Sequence, residues 1–385
     1  MPFPQMDRFK LNIKPLNQRK HKAWIERDRI LPTAKPRPFS VEAEKLIDEV
    51  VACLQKARAA NASRMLTFGA HAIKNGLSPV LIELVKRGWI THLATNGAGI
   101  IHDWEFAYQG CSSEDVRLYV DQGQFGIWQE TGFYLNLALN VGAWEGLGYG
   151  ESVGKFVETE GADIPSEADL VAAVEENLQS DPDKAAAAAD LLLKVRQFEL
   201  EPGRMRVPHP HKQFGLQSNM YKLNVPFTSH PMVGHDIIYC HPMNHVAAIG
   251  RAAQRDFLVF AQNVANLENG VYLSVGSAVM SPMIFEKSLS MTQNLRIQRG
   301  EHLDSHYMFI VDLQKSQWDW SKGEPPEDNP DYYLRYCKSF ARMGGTMRYL
   351  SADNRDFLLR LLQKLEGIEA TDGWKARGKA MQLGE

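Results

Sequence analysis

Three stretches of this chain hold residues whose types and spacing can do chemistry. The first is LATNGAGIIHDWE, residues 93–105. An apolar run stops at Thr95-Asn96-Gly97-Ala98-Gly99, and His102, Asp103 and Glu105 follow at once. Small residues let backbone N–H groups approach a phosphate closely, and a helix starting there favours the anion. The expected reading is a phosphate-cradling turn at the mouth of a site, with polar groups behind it. The second stretch is FTSHPMVGHDIIYCHPMNH, residues 227–245, with His230, His235, Asp236, His241 and His245. So many imidazoles invite a metal, but the spacing fits no familiar ligand pattern. Acid, base or substrate contacts beside a cleft are the preferred reading. The third is Lys338, in an aromatic-rich segment with Tyr332, Tyr333 and Tyr336. A lysine among aromatic residues in a cleft can lose its proton and act as an amine nucleophile, although a surface lysine is the simpler reading.

Such groups need elements to hold them. Ser40 can cap a helix over about 41–60, and MLTFGAH follows as a short apolar strand. Ser78-Pro79 reads as an N-cap followed by proline at the first helical position, and Gly88 as the stop. ITHLATN is the next strand, so this is strand, helix, strand at the length of one parallel crossover. LNVPFT, VYLSV, YMFIVDL and MRYL are four further strands, with helices over roughly 245–265, 282–293 and 354–365. Six short apolar strands interleaved with helices predict an α/β fold with a doubly wound, mostly parallel six-stranded sheet, Rossmann-like in class. Ligands of such sheets bind outside the carboxyl ends of the strands. Most of those ends carry small residues: Gly69-Ala70, Asn96 to Gly99, Thr228-Ser229 and Gly276-Ser277-Ala278. Asp353, after the last strand, can bind a ribose hydroxyl. GxGxxG is absent, and so is the GxSxG of a nucleophile elbow.

Composition bounds the rest. Of 385 residues, 44% are hydrophobic and 23% charged, as in ordinary globular chains. No apolar run reaches about 18 residues, so no membrane span is expected. Four scattered cysteines without a CxxC pair, and an N-terminal stretch with no secretory pattern, point to the cytoplasm. Residues 1–40 carry ten Lys/Arg against three Asp/Glu, with six prolines. They read as an N-terminal arm packed over its own domain or a partner subunit, not as a nucleic-acid contact. Residues 151–202 hold thirteen Asp/Glu against four Lys/Arg and read as an acidic helical insertion. The expected organisation is an arm over 1–40, one α/β domain over 41–366 with that insertion, and a tail over 367–385.

The order of motifs resembles the deoxyhypusine synthase family, over most of residues 60–365 outside the acidic insertion. LATNGAGIIHD stands where that family has a strand followed by a Thr/Ala/Gly turn and acidic residues contacting NAD. VGHDIIY is similar to its Gly-x-Asp-Met-Ile-Tyr segment, YLSVGSAV stands at its glycine triplet, and MRYLSADN resembles its closing strand. Tyr336-Cys337-Lys338 falls near the lysine motif that carries its imine. The resemblance implies a homo-oligomer, dimer or tetramer, that uses NAD as cofactor and takes a small-molecule amine or polyamine. Hydride abstraction and imine transfer would be the chemistry. The implied cofactor contacts are Thr95, Asn96, Gly97, Ala98, Gly99, Gly276, Ser277, Ala278 and Asp353. Asp236 would hold the substrate ammonium, with Asp103, Glu105 and Tyr336 also on the substrate, and Lys338 would carry the imine. The family's histidine after the glycine triplet is replaced here by Val279-Met280-Ser281. His102 or His235 would have to supply that base, and deoxyhypusine synthesis itself is not expected. The competing readings are a non-catalytic dinucleotide-binding protein and a metal-dependent hydrolase built on His230 to His245.

Overall fold

The computed structural model describes residues 3–371, which form two compact units. One comprises residues up to Arg27, Ile100–Tyr221 and Pro231–Asp256; the other comprises Asp28–Gly99, Lys222–His230 and the chain from Phe257 onward. Residues 372–385, most of the expected tail, lie outside the described residues.

The second unit holds the sheet. Its strands are β1 (Arg64–Phe68), β2 (His92–Thr95), β3 (Phe227–Ser229), β4 (Val271–Val275), β5 (Tyr307–Asp312) and β6 (Thr346–Ser351). They lie in the order β3-β2-β1-β4-β5-β6, and every neighbouring pair is parallel. The expected α/β sheet is therefore present, and parallel throughout. Strands buried on both faces need no polar alternation, which is why they read as unbroken apolar runs. All five residues of β1 and of β4 are buried. The helices used below are α1 (Val41–Ala59), α2 (Ser78–Lys86), α3 (Gly97–Gln109), α4 (Val246–Ala265), α5 (Met280–Ile297), α6 (Arg335–Ala341) and α7 (Asn354–Thr371). Met65, Tyr272, Met308 and Met347 face a core built with Phe260, Phe285, Leu289 and Phe340. Leu66, Leu273 and Phe309 alternate to the opposite face, and α1 packs on β1 and β4 there and against α7.

Two local expectations change. Ser40 caps α1 through its side chain as expected, accepting from the Ala43 N–H at 3.2 Å. Ser78, in contrast, lies inside α2 and is buried; Leu77 precedes the helix and offers no side-chain cap. Gly97-Ala98-Gly99 forms no free turn either. α3 begins at Gly97, directly after Asn96, so these residues are its first turn.

In the first unit, helices Gln129–Trp144, Tyr149–Glu158, Glu167–Asn177 and Pro182–Gln197 pack with a two-stranded antiparallel pair, Gly161–Ile164 with Gly203–Arg206. The acidic stretch 151–202 is part of this unit. Arm residues up to Arg27 pack here through specific bonds. The Arg8 guanidinium donates to the Tyr239 carbonyl and to Asn244, and the Leu16 N–H donates to Glu130. Arg19 is buried in a two-toothed pair with Glu105, at 2.8 and 2.6 Å. Among the described residues no helix is long and apolar enough to cross a membrane.

Candidate functional site

The strand order reverses between β1 and β4, because β1 is followed in space by β2 on one side and β4 on the other. In open parallel sheets this is where loops leave in opposite directions and open a crevice. The loops after β1 and β4 meet through two glycines. A Cβ built on Gly69 would lie 2.2 Å from the Gly276 carbonyl oxygen, so only glycine permits this approach. Gly276 itself is left-handed, at φ +59°, and its open side meets nothing nearer than the Asn354 amide at 3.5 Å. Gly276, Ala278 and Val279 are exposed at the start of the 18-residue α5. The Ser277 hydroxyl accepts from the Ser281 N–H at 3.3 Å, which fixes the first turn.

Next to this point lies the end of β2. Thr95 donates its hydroxyl to the Phe68 carbonyl at 3.0 Å and ties β2 to β1. The Asn96 side chain accepts from the Gly99 N–H at 3.0 Å and starts α3. A Cβ on Gly99 would fall 2.3 Å from the Thr95 hydroxyl, so its glycine serves helix-to-strand packing. At the far end of the sheet Asp353 is already engaged. Arg355 and Arg37 donate to it at 2.9 and 2.7 Å, and these bonds hold its carboxyl down at about 2. The sheet edge thus gathers Thr95 to Gly99, Gly276 to Ala278 and Asp353 within one unit, on the ends of different strands.

Other expected site residues have different work. Asp103 is buried in the first unit and accepts from the Leu216 and Gln217 N–H groups at 2.7 and 2.9 Å, closing the start of a helix. Glu105 is saturated by Arg19, the Thr131 hydroxyl and the Ser112 hydroxyl. Burial opposes its charge, but the guanidinium outweighs burial and its pKa is lowered. His102 bonds the same Ser112 hydroxyl through Nδ1 at 2.8 Å. Ser112 thus lies between the imidazole and the carboxylate, which is not the order of a nucleophilic triad. Lys338 forms an ion pair with Glu324 at 3.0 Å and lies 3.2 Å from the centre of the Tyr332 ring. Partial burial lowers its pKa, but the Tyr332 hydroxyl and Glu324 more than restore it, so the net shift is upward. A lysine held as the cation is a poor nucleophile. The Tyr336 hydroxyl bonds that of Tyr349 at 3.1 Å.

The histidine-rich stretch disperses. His230 belongs to the sheet unit, His235 is exposed on a loop, His241 bonds Gln129, and His245 faces Asp190 at 3.7 Å. Among the described residues no group of three or more His, Cys, Asp or Glu is placed to hold a metal ion. The metal-hydrolase reading loses its cluster.

Asp236 is the exception in that stretch. It is buried in the first unit, its Oδ2 has no hydrogen-bond partner among the described residues, and burial pushes its carboxyl up to about 7. The Tyr239 hydroxyl is also buried and unpartnered, and burial with the nearby Asp236 charge pushes it up to about 12. Two unsatisfied buried polar groups close together mark a candidate for binding a ligand that would satisfy them. Tyr149, fully buried, feels the same carboxylate. Sequence reasoning passed over Tyr149 and Tyr239. It also passed over His92, although an ionisable residue inside an all-buried strand is itself a signal.

No protein-family model matches the chain, and no curated protein matches it. Solved structures similar to it include AgrE in a ternary complex with ornithine and NAD+, at 12% identity and TM-score 0.42 over 87% of this chain and 34% of AgrE. A putative LOR/SDH protein from Methanococcus maripaludis S2 gives 13% identity and TM-score 0.40, over 88% of this chain and 73% of that one. ArgZ, an arginine dihydrolase from the cyanobacterial ornithine-ammonia cycle, gives 14% and 0.40 over 84% and 33%. The chain spans about a third of AgrE and of ArgZ. These values assign no family. The resemblance to deoxyhypusine synthases is corrected: no family model and no curated protein supports it, and the similar structures include AgrE, ArgZ and a LOR/SDH protein instead. The imine role of Lys338 came from that resemblance, and the Glu324 pairing gives it no independent footing.

Proposed function

We propose that this chain is an enzyme that binds the dinucleotide NAD on the carboxyl edge of its parallel sheet and acts on a small amine. The observation that carries the dinucleotide half is the reversal of strand order between β1 and β4, with Gly69 and Gly276 meeting there. The chemistry of that edge fits a pyrophosphate. Gly276, Ala278 and Val279 expose backbone at the positive end of a long helix, and anions bind such ends. The fit departs from the usual fingerprint in two ways. A single glycine follows β1, and Asn96 stands at the end of β2 where an acidic residue commonly meets a ribose. Two acidic groups stand on this edge: Asp353, with its charge already shared by two arginines, and Asp312 at the end of β5, which accepts from the Leu313 N–H.

The amine half rests on Asp236. A buried carboxyl with no hydrogen-bond partner at Oδ2 and no ion pair among the described residues is satisfied by a ligand that brings a cation, and a substrate ammonium does so. With its pKa near 7, Asp236 can also take a proton from that ammonium at Oδ2 and leave the amine neutral. NAD, when bound, supplies the hydride acceptor. Tyr239 offers its hydroxyl beside the carboxylate.

The test has two parts. NAD is titrated into wild type and Ala278→Glu; Ala278 is exposed, so the change adds a negative charge at little structural cost. Saturable binding that is lost in the variant, with melting unchanged, is expected. Equal binding by both proteins removes the site, and no binding of NAD or NADH at millimolar levels removes the cofactor. NADH formation with a panel of amino acids and amines, lost in Asp236→Asn while NAD still binds, is expected for the second half. Turnover retained by Asp236→Asn refutes the ammonium role.

A further inference from the structure

Two histidines in the sheet unit are joined by one hydroxyl. His92 lies on β2, Thr228 on β3, and His230 two residues further at the carboxyl end of β3. Thr228 is paired with Ala94, so alternation puts all three side chains on one face. The His92 Nε2 lies 2.9 Å from the Thr228 Oγ1, which lies 3.0 Å from the His230 Nε2. Both rings pack edge-on against Phe260, at 5.5 and 5.2 Å between centroids. His92 is fully buried, and His230 is 7% exposed.

A hydroxyl has one proton to give. If Thr228 gives it to the His92 Nε2, the His92 proton sits on Nδ1. That nitrogen is buried with no partner among the described residues, and an orphaned N–H is the costly kind of unsatisfied group. If both rings instead donate to Thr228, its own proton finds no acceptor among the described residues. The remaining arrangement leaves only an unprotonated Nδ1 on His92. The His92 Nε2–H donates to Thr228, and Thr228 donates to the His230 Nε2. His230 then carries its proton on Nδ1, the nitrogen for which no protein acceptor is found among the described residues.

We propose that His230 is a preset, uncharged hydrogen-bond donor that offers its Nδ1–H to an acceptor oxygen of the dinucleotide, its tautomer fixed through Thr228 by His92. This rests on the dinucleotide reading above and assigns a contact outside the turns that carry it. Its place supports it. The His230 N–H donates to the Thr95 carbonyl at 2.9 Å, so the residue stands at the strand ends. Burial holds both imidazoles down at about 3, with no charged side chain countering it, so the donor stays neutral. A neutral donor suits an oxygen that must be oriented without drawing a counter-ion out of water.

The experiment is nitrogen-detected NMR of histidine-labelled protein, free and with NAD. The expected result in the free protein is Nδ1–H for His230 and Nε2–H for His92, with neither ring titrating between pH 5 and 8. Addition of NAD moves the His230 Nδ1 signal, and His230→Ala weakens NAD binding roughly three- to tenfold. Thr228→Val keeps both rings and removes the bridge; both tautomers then appear at His230. A His230 proton on Nε2 in the free wild type overturns the inference. So does NAD binding that leaves the His230 signals still and is unchanged in His230→Ala, and here the dinucleotide reading survives. Absence of NAD binding to wild type overturns both together.

Discussion

Gly69→Ala tests the geometry of the strand-order reversal most directly. Two effects of opposite sign compete at this position. Gly69 sits at φ -81° and ψ 162°, an extended backbone that alanine adopts freely. On that ground alone, alanine would stabilise by ~0.4–1 kcal/mol through a less disordered unfolded chain. The added Cβ, however, falls 2.2 Å from the Gly276 oxygen, against the 3.4 Å at which ordinary contact begins. The two loops must part by at least 1.2 Å, the difference between those values, and the obstacle is backbone. Overpacking of this kind costs ~1–3 kcal/mol. The clash wins, and the variant is less stable by up to a few kcal/mol. For a domain of roughly 150–250 residues each kcal/mol lowers the melting temperature by ~2–4 °C. Gly250→Ala is the control, on the exposed side of α4 with nothing within 4 Å of the new atom. It should raise stability by ~0.8–1 kcal/mol through helix propensity alone. Thermal melts of the three proteins, each followed by an NAD titration, give the answer. A Gly69→Ala protein that melts at or above wild type would refute the close approach of the two loops, and with it the crevice they define.

Other expectations follow from the first unit. Arg19→Met leaves Glu105 buried without its partner and should cost ~3–5 kcal/mol, whereas Arg19→Met combined with Glu105→Met should recover much of the loss; a single variant within ~1 kcal/mol of wild type contradicts the buried pair. Because the Glu105 pKa is depressed in the fold, its share of stability is present above the ordinary glutamate value of 4.5 and is lost as the pH falls below it; acid melts of wild type should show this, and Glu105→Gln should flatten it. Asp236 has the reverse sign. Its folded pKa of about 7 exceeds the ordinary 3.8, so stability is full below 3.8 and declines as the pH rises through 7. Asp236→Asn should therefore gain on wild type steadily between pH 4 and 8, and a pH-independent difference would show that the carboxyl is solvated. Lys338→Met should leave NAD affinity unchanged and lower stability only slightly, the ion pair with Glu324 being half-buried; a lost affinity would return that lysine to the site.

The sheet was legible because parallel strands buried on both faces advertise themselves as apolar runs, and VYLSV matches β4 residue for residue. Glycine at the strand ends was legible too, but its meaning was not. Gly99 is small to let Thr95 pack, and Gly276 is small because its backbone is left-handed; the sequence shows glycine either way. Asp103 and Glu105 looked like site residues because their partners are far along the chain. Arg19 lies 86 residues from Glu105, and the N–H groups held by Asp103 lie 113 and 114 residues away. No local pattern announces such a pairing. The histidine cluster failed for the opposite reason: proximity in sequence suggested proximity in space, yet His230 meets Thr228, His241 meets Gln129, His245 faces Asp190 and His235 lies exposed. Asp236 drew attention by its type and by the resemblance of VGHDIIY, and only its buried Oδ2, without a hydrogen-bond partner among the described residues, gave that attention a physical basis.

The strand order also sets a schedule for synthesis on the ribosome. β1 and β2 emerge early and can pair at once. The other edge of β1 pairs with β4, whose residues 271–275 are made about two hundred residues later. At ~5–20 residues per second, that edge waits for ten seconds or more with its N–H and C=O groups unpaired. In that interval the nascent chain carries an apolar strand, Arg64–Phe68, open to any other strand it meets. Yield in a rapidly translating host should therefore depend on chaperone supply, and a chain truncated before Val271 should aggregate.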